Sequence, residues 1–326
     1  MRRLDVEVER WPIAGTFVIS RGSRTEAVVV VVSITADGVT GRGESVPYAR
    51  YGESVDRVVA LIESVRSAME EGASRAQLAN LLPAGAARNA LDCALWDLEA
   101  RGSGVPLHVL AGVPALEPMI TAYTLSLGTP QAMGAAAAAA AHRPLLKVKL
   151  GGAGDVERIA AVRAGAPDAR LIVDANEAWS VDDLRANLRA CEVAGVELIE
   201  QPMPEGRDGP LADVETSILL CADESIHDAA SLARLPPWYG AINIKLDKTG
   251  GLTDALMLRA LARERGLAVM IGCMLATSLA MAPALILAQG ARFVDLDGPL
   301  LLARDRENGL RYEGSLILPP EPARAG

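Results

Sequence analysis

Polar residues recur at the ends of short apolar runs through the last two thirds of this chain, at Lys149, Asp174, Glu200, Asp223, Lys245 and Asp295. The steps between them are 25, 26, 23 and 22 residues and then 50, which is two such units. The apolar runs read as strands near 120–127, 145–150, 170–174, 196–200, 218–222, 241–245, 268–272 and 292–296. Helical segments such as Val181–Ala194, which Ser180 can cap, and Leu252–Arg265 lie between them. The alanine-rich run Ala135–Ala141 is read as a plain helix, since alanine is the best helix former. Regular strand–helix units argue for an α/β fold, a parallel (β/α) barrel of the TIM type, in which the C-terminal ends of the strands share one mouth. An open doubly wound sheet is the alternative, but no Gly-x-Gly-x-x-Gly follows a strand.

The first third has another texture. Residues 4–10, 26–35 and 38–45 read as strands, with an uninterrupted β-branched run from Val28 to Val32 and a hairpin turn at Asp37-Gly38. Ser54 opens an amphipathic helix to about Glu71, with Val58, Leu61, Ile62 and Val65 on one face, and a second helix runs from about Ala84 to Ala100. The predicted organisation is an α+β capping domain over 1–112, completed by a segment at about 303–326 that returns to it through 310–318. The barrel spans 113–302.

Net charge of −9 argues against nucleic acid or an anionic membrane as partner. The first residues are charged rather than apolar, and no apolar run reaches the roughly 18 residues of a membrane span. Cys93, Cys191, Cys221 and Cys273 are far apart in apolar contexts and read as reduced core thiols of a cytoplasmic protein. His108, His142 and His227 have no metal-ligand spacing.

Chemistry concentrates on the barrel strands. In Leu145-Leu146-Lys147-Val148-Lys149-Leu150 the two lysines point the same way, into the interior if the strand is covered outside. Burying two ammonium groups together lowers the pKa of at least one, which makes a base near neutral pH. An edge strand with solvated lysines is the bland alternative. Asp174, Glu200 and Asp223 end three consecutive strands and would repel unless a cation held them. A hard divalent ion, Mg²⁺, suits oxygen ligands of this kind, although each acid could instead cap the following helix. Lys245 ends Ala241-Ile242-Asn243-Ile244-Lys245 and would face Lys149 across the metal, or else pair with Asp223 or Asp247. Two lysines flanking the α-carbon of a metal-bound carboxylate can remove a proton from one face and return one to the other, while the metal stabilises the enolate. Asp295 and Asp297 in Asp295-Leu296-Asp297-Gly298-Pro299 share a face of the last strand and call for a cation, unless they form a cap or turn.

The motifs Lys147-Val148-Lys149, Asp174-Ala175-Asn176, Glu200-Gln201-Pro202, Ala222-Asp223-Glu224-Ser225 and Asn243-Ile244-Lys245 fall in order, and with them the chain resembles the enolase superfamily in its muconate-lactonizing subgroup. Enolase-type sites that pair a Lys or His base with Mg²⁺ are a known pattern. Within the subgroup the Asp295/Asp297 pair resembles the dipeptide epimerases, where it binds a free α-ammonium. The resemblance implies Mg²⁺ on Asp174, Glu200 and Asp223, acid/base roles for Lys149 and Lys245, and Lys147 on the substrate carboxylate beside Lys149. Asn176 would support the ligands, and Thr124 and Met274 would line the pocket. In Arg21-Gly22-Ser23-Arg24-Thr25 it implies that Arg24 binds a Glu side-chain carboxylate, which a planar guanidinium fits in two places, though a lone loop arginine can also be merely solvated. Pro47–Gly52 would be a second cap loop closing the mouth. The implied activity is inversion at the C-terminal residue of L-Ala-D/L-Glu, in recycling of murein peptide. Alternatives are an N-acyl amino acid racemase, an o-succinylbenzoate synthase or a cycloisomerase of the subgroup, or a non-catalytic dipeptide-binding protein. Oligomeric state is not legible.

Overall fold

In the computed structural model of this chain residues 2–320 are described. Residues 321–326, the end of the segment expected to complete the cap, lie outside the described residues. The cap is an antiparallel sheet of β1 (Arg3–Ile19), β2 (Gly22–Ala36) and β3 (Val39–Ser45), with helices α1 (Val55–Ser64), α2 (Arg66–Glu70), α3 (Arg75–Leu81) and α4 (Ala86–Ser103). The unbroken β-branched run has a direct cause: β2 is covered on both faces. Val30, Val32 and Ile34 pack under the cap helices, while Val29 and Val31 join the barrel's outer core. Helix α4 lies directly on the backbone of β3, where a Cβ added at Gly43 would meet the Ala90 carbonyl at 2.1 Å.

The structure departs from the expected cap elements at two places. The strand expected over 4–10 continues to Ile19, with a register shift between Pro12 and Phe17. Beyond that shift, Phe17–Ile19 paired with Gly22–Arg24 forms a flap. Pro12 and Gly15, which has φ +98°, interrupt the alternation and hid this extension. The helix expected over 54–71 is two helices that meet at Val65.

The second unit is an eight-stranded sheet in strictly sequential order, all parallel: β5 (Tyr123–Leu125), β6 (Leu145–Lys149), β7 (Arg170–Asp174), β8 (Val196–Glu200), β9 (Leu219–Ala222), β10 (Ala241–Ile244), β11 (Ala268–Gly272) and β12 (Phe293–Asp295). Sequential order is that of a barrel and not of a doubly wound sheet, whose order reverses. The seam between β5 and β12 is stitched rather than laddered: Ala122 N donates to the Val294 carbonyl at 2.8 Å, and Leu296 N to Thr121 Oγ1 at 2.8 Å. Helices α6 (Pro130–Ala139), α7 (Asp155–Gly165), α8 (Val181–Val193), α9 (Ala229–Ala233), α10 (Leu246–Thr249), α11 (Leu252–Glu264), α12 (Ser278–Ala288) and α13 (Gly298–Leu301) follow the strands, and the short α5 (Leu107–Leu110) precedes the barrel.

Period-two alternation then sorts the interior into levels. Ala122, Leu145, Ile172, Leu198, Cys221, Ala241, Met270 and Phe293 meet as an apolar floor. Two residues further along each strand come Thr124, Lys147, Asp174, Glu200, Asp223, Asn243, Gly272 and Asp295, all polar or glycine. The floor excludes water beneath this layer, and the layer opens only toward the cap.

The C-terminal segment divides. Leu302 bridges Ile13, and Arg306 bonds Glu9 and Glu44, so this part touches the cap. The part expected to rejoin the cap over 310–318 instead forms β13 (Tyr312–Glu313) and β14 (Leu316–Ile317), which pair with β4 (Met119–Ile120) where the chain enters the barrel. Ile317 is buried in the barrel core, and the Tyr312 hydroxyl donates to the Leu296 carbonyl.

Candidate active site

Each of the three strand-end carboxylates has one oxygen fixed by the protein and one turned toward a lysine. Asp174 Oδ1 accepts from Asn176 N at 2.9 Å, and its Oδ2 lies 2.6 Å from Lys149 Nζ and 3.4 Å from Lys147 Nζ. Glu200 Oε1 accepts from Asn243 Nδ2 at 2.7 Å, and its Oε2 lies 2.6 Å from Lys147 Nζ. Asp223 Oδ1 lies 2.5 Å from Lys248 Nζ, and its Oδ2 lies 2.6 Å from Lys245 Nζ. All of these side chains are buried. None of the three acids caps a following helix, and β6 is an interior strand buried along its length, so its lysines are not solvated.

The electrostatics follow from the pairing. Burial opposes ionisation of Asp174, but Lys149, Lys147 and Lys245 outweigh it and bring its pKa down to about 2. Burial is likewise outweighed at Asp223, which Lys245 and Lys248 hold well below the usual carboxylate range. Glu200 goes the other way, raised by burial and by Asp174. The downward push expected for the paired lysines is not found at Lys147. Burial disfavours its charge, but Asp295, Glu200 and Asp174 surround it and hold it well above the ordinary lysine value. Lys245 is raised in the same way by Asp223 and Glu200. The sequence showed like charges two residues apart, and the fold supplied the opposite charges from three other strands.

Among the described residues no three His, Cys, Asp or Glu side chains form a finished metal cage, and Lys147 stands between Asp174 and Glu200. The donor set nonetheless suits a hard divalent cation. It consists of carboxylate oxygens only, and Glu200 Oε2 is buried without a hydrogen bond of proper angle.

At the rim, Asp295 Oδ2 lies 2.6 Å from Lys147 Nζ while Oδ1 is buried without a partner. The last strand stops at Asp295, so Asp297 stands before α13, where it makes no side-chain cap. Its Oδ2 instead accepts from Thr124 N at 2.6 Å, extending the seam. Burial and the neighbouring Asp295 push its pKa up to about 7. Met274 is buried and packs with the barrel core. Cys93, Cys191 and Cys221 are buried, whereas Cys273 is half-buried.

The cap closes the mouth with two segments. Arg50, in the turn Ala49–Tyr51, makes two bonds to Glu177, at 2.7 and 2.8 Å. On the flap, Arg21 donates to the Asn176 carbonyl at 2.9 Å, Glu224 Oε1 at 2.7 Å and the Tyr48 hydroxyl at 3.0 Å. Arg24 is exposed, with its guanidinium 5.8 Å from the centre of the Tyr48 ring and no ion pair among the described residues. One flap arginine is thus committed to the protein and the other is available.

Sequence reasoning missed Lys248, Arg21 and the part played by Asn243 and Gln201. Lys248 donates to the Asp223 and Asn243 carbonyls as well as to Oδ1. Gln201 binds the Asp223 and Ser225 amides through Oε1. The signal for Lys248 was its place three residues after Lys245, one helical turn on the same side.

Comparison with known proteins agrees with this architecture. Residues 1–112 match the mandelate racemase/muconate lactonizing enzyme N-terminal domain, and residues 132–320 match the enolase C-terminal domain-like family. The chain is 48% identical to the L-Ala-D/L-Glu epimerase of Escherichia coli (strain K12), over 96% of this chain and 98% of that protein. It is 45% identical to the N-acetyl-D-glutamate racemase of Pseudoalteromonas sp, over 89% and 93%. An enolase family member from Agrobacterium tumefaciens with homology to dipeptide epimerases, solved with bound sodium and L-Ala-L-Glu and an ordered loop, superposes with a TM-score of 0.97 at 52% identity over 99% of both chains. A dipeptide epimerase from Methylococcus capsulatus, complexed with Mg and L-Arg-D-Lys, superposes with a TM-score of 0.89 at 33% identity over 97% of this chain and 96% of that one. By sequence and by fold, this chain belongs to the enolase superfamily, in its mandelate racemase/muconate lactonizing enzyme branch, as an isomerase of the dipeptide epimerase family.

Proposed function

We propose that the chain is a Mg²⁺-dependent epimerase of Ala-Glu dipeptides that inverts the α-carbon of the C-terminal residue. The observation that carries this reading is the placement of Lys149 and Lys245. Lys149 ends β6 and Lys245 directly follows β10, four strands apart in an eight-stranded barrel and so on opposite walls, with the three carboxylates between. Asp174, Glu200 and Asp223 would hold Mg²⁺, which supplies Lewis-acid stabilisation of negative charge developing on the substrate carboxylate.

Lys147 supports the same carboxylate. One lysine takes the α-proton and the other delivers a proton to the opposite face, with their roles exchanged in the reverse direction. The apolar floor and the closed flap keep bulk water from the lysines. Asp295 and Asp297 suit the free α-ammonium of a dipeptide, and Arg24 suits the Glu side-chain carboxylate. Thr124 and Met274 border this space. A cytoplasmic role in reuse of murein peptide belongs to this reading.

One observation favours a second reading, an N-acyl amino acid racemase. Lys147 engages Asp295 and burial raises the pKa of Asp297 to about 7, so the pair carries less charge than two free carboxylates.

Proton NMR in D₂O separates the two. With Mg²⁺ and L-Ala-L-Glu, the Glu α-proton signal should disappear as the D-Glu diastereomer grows, and EDTA should stop both. Turnover of N-acetylglutamate with an inert dipeptide would establish the second reading. Inertness toward both would overturn each.

A further inference from the structure

The three carboxylates share a pattern that no single residue reveals. In each, one oxygen is held from behind by the protein: Asp174 Oδ1 by Asn176 N, Glu200 Oε1 by Asn243 Nδ2, and Asp223 Oδ1 by Lys248 Nζ. The remaining oxygens face the lysines at the mouth. Two of the three holds come from one piece of chain. Asn243 ends its reach on Glu200, and its carbonyl accepts from Lys248 at 2.9 Å, which in turn grips both the side chain and the carbonyl of Asp223. Lys248 has three donors and three acceptors, and it is buried, so it cannot swing to the mouth. Asn243 is held in place because Gly272 leaves room for it. A Cβ there would stand 2.6 Å from Asn243 Oδ1 and 2.7 Å from Nδ2.

We infer that Asn243 and Lys248 are positioning residues that allow Glu200 and Asp223 to offer one oxygen each to a divalent cation, and that they thereby select Mg²⁺ over Ca²⁺. The chemistry is general. Mg²⁺ is small and takes few, well-placed oxygens, whereas Ca²⁺ takes more oxygens and accepts a carboxylate through both. A hydrogen bond on one oxygen takes one of its two lone pairs and fixes the orientation of the carboxylate, so it favours coordination through the other oxygen alone. The inference rests on the reading of Asp174, Glu200 and Asp223 as the metal ligands.

The test is direct titration of Mg²⁺ and of Ca²⁺ into the metal-stripped protein by calorimetry, for the wild type, Asn243→Ala and Lys248→Met. Removing the Lys248 charge strengthens binding of both ions alike, so the ratio of their dissociation constants isolates the geometry. Asn243→Ala changes no charge and serves where Lys248→Met fails to fold. Folding is checked by thermal unfolding. The wild type should prefer Mg²⁺, and each folded variant should move the ratio toward Ca²⁺ by about tenfold or more, the scale on which loss of a supporting contact changes affinity at a metal site. Substituting Asn243→Gln, which keeps the amide, should restore part of the preference. An unchanged ratio in folded variants that still bind Mg²⁺ overturns this inference alone. Failure of the wild type to bind either ion overturns the metal reading beneath it.

Discussion

Asp247 gives the sharpest quantitative expectation. It lies two residues beyond Lys245, in α10, and fastens that helix to the cap. Its Oδ1 accepts from Val46 N and from Asn89 Nδ2, each at 2.9 Å. It is buried and has no ion-pair partner among the described residues. Burial, with smaller contributions from Glu53 and Glu44, raises its pKa from the ordinary 3.8 to about 7. The folded state therefore holds the proton more tightly than the unfolded chain. Between about pH 4 and pH 7 the native state is the more protonated, so the contribution of this group to stability falls as pH rises through that window. Roughly three pKa units at 1.36 kcal/mol each put the full penalty near 4 kcal/mol above pH 7.

Asp247→Asn keeps the oxygen acceptor and cannot ionise. Relative to the wild type, the variant should gain little at pH 4 and about 4 kcal/mol at pH 8, with a Tm rise on the order of 8 °C there. Glu224 and Asp297 also titrate at about 7, so the wild-type curve alone is not diagnostic. They are present in both proteins and cancel in the difference. Urea unfolding of both proteins across pH 4–8 measures it. Parallel stability curves, or an Asn variant less stable at pH 8, would refute the argument that Asp247 is ionised at a cost.

Three shorter expectations accompany it. Lys149→Met and Lys245→Met should each lose epimerisation by about 10²–10⁴-fold, yet each should still exchange the α-proton of the one epimer whose remaining lysine faces it; exchange lost equally from both epimers in both variants would contradict two-base chemistry. Gly272→Ala must displace Asn243 from Glu200, so Mg²⁺ affinity measured by calorimetry should fall by about tenfold with the fold intact by circular dichroism. Phe293→Ala removes the largest side chain of the barrel floor and should cost about 3–5 kcal/mol in urea unfolding, well above the effect of any surface change.

Much of the barrel was legible because its signals are local. A strand end every 22 to 26 residues, with a carboxylate or lysine at its tip, needs only the period of a strand and the length of one strand–helix unit. The same periodicity turns Lys147, Lys149, Asp174, Glu200, Asp223, Lys245 and Asp295 inward. The flap was hidden because Pro12 and Gly15 break the alternation, although β1 resumes its pairing at Phe17. The destination of 310–318 was hidden because two-residue strands carry almost no periodicity, and only the neighbouring Met119–Ile120 decides where they pair.

The charge states of the site were decided by the tertiary structure. Two lysines buried together read in sequence as a depressed pKa for at least one of them; at Lys147 the shift is upward, because Asp295, Glu200 and Asp174 arrive from three other strands. The contacts of Asn243, Lys248 and Arg21 depend on the fold in the same way, since each bonds to a residue distant in sequence: Asn243 to Glu200, Lys248 to Asp223 and Arg21 to Glu224. The sequence determined which side chains face inward, because that follows from the two-residue repeat of a strand. Which of them touch, and hence what charge each carries, follows from strand tilt, barrel closure and the docking of the cap, and these are properties of the packed molecule alone.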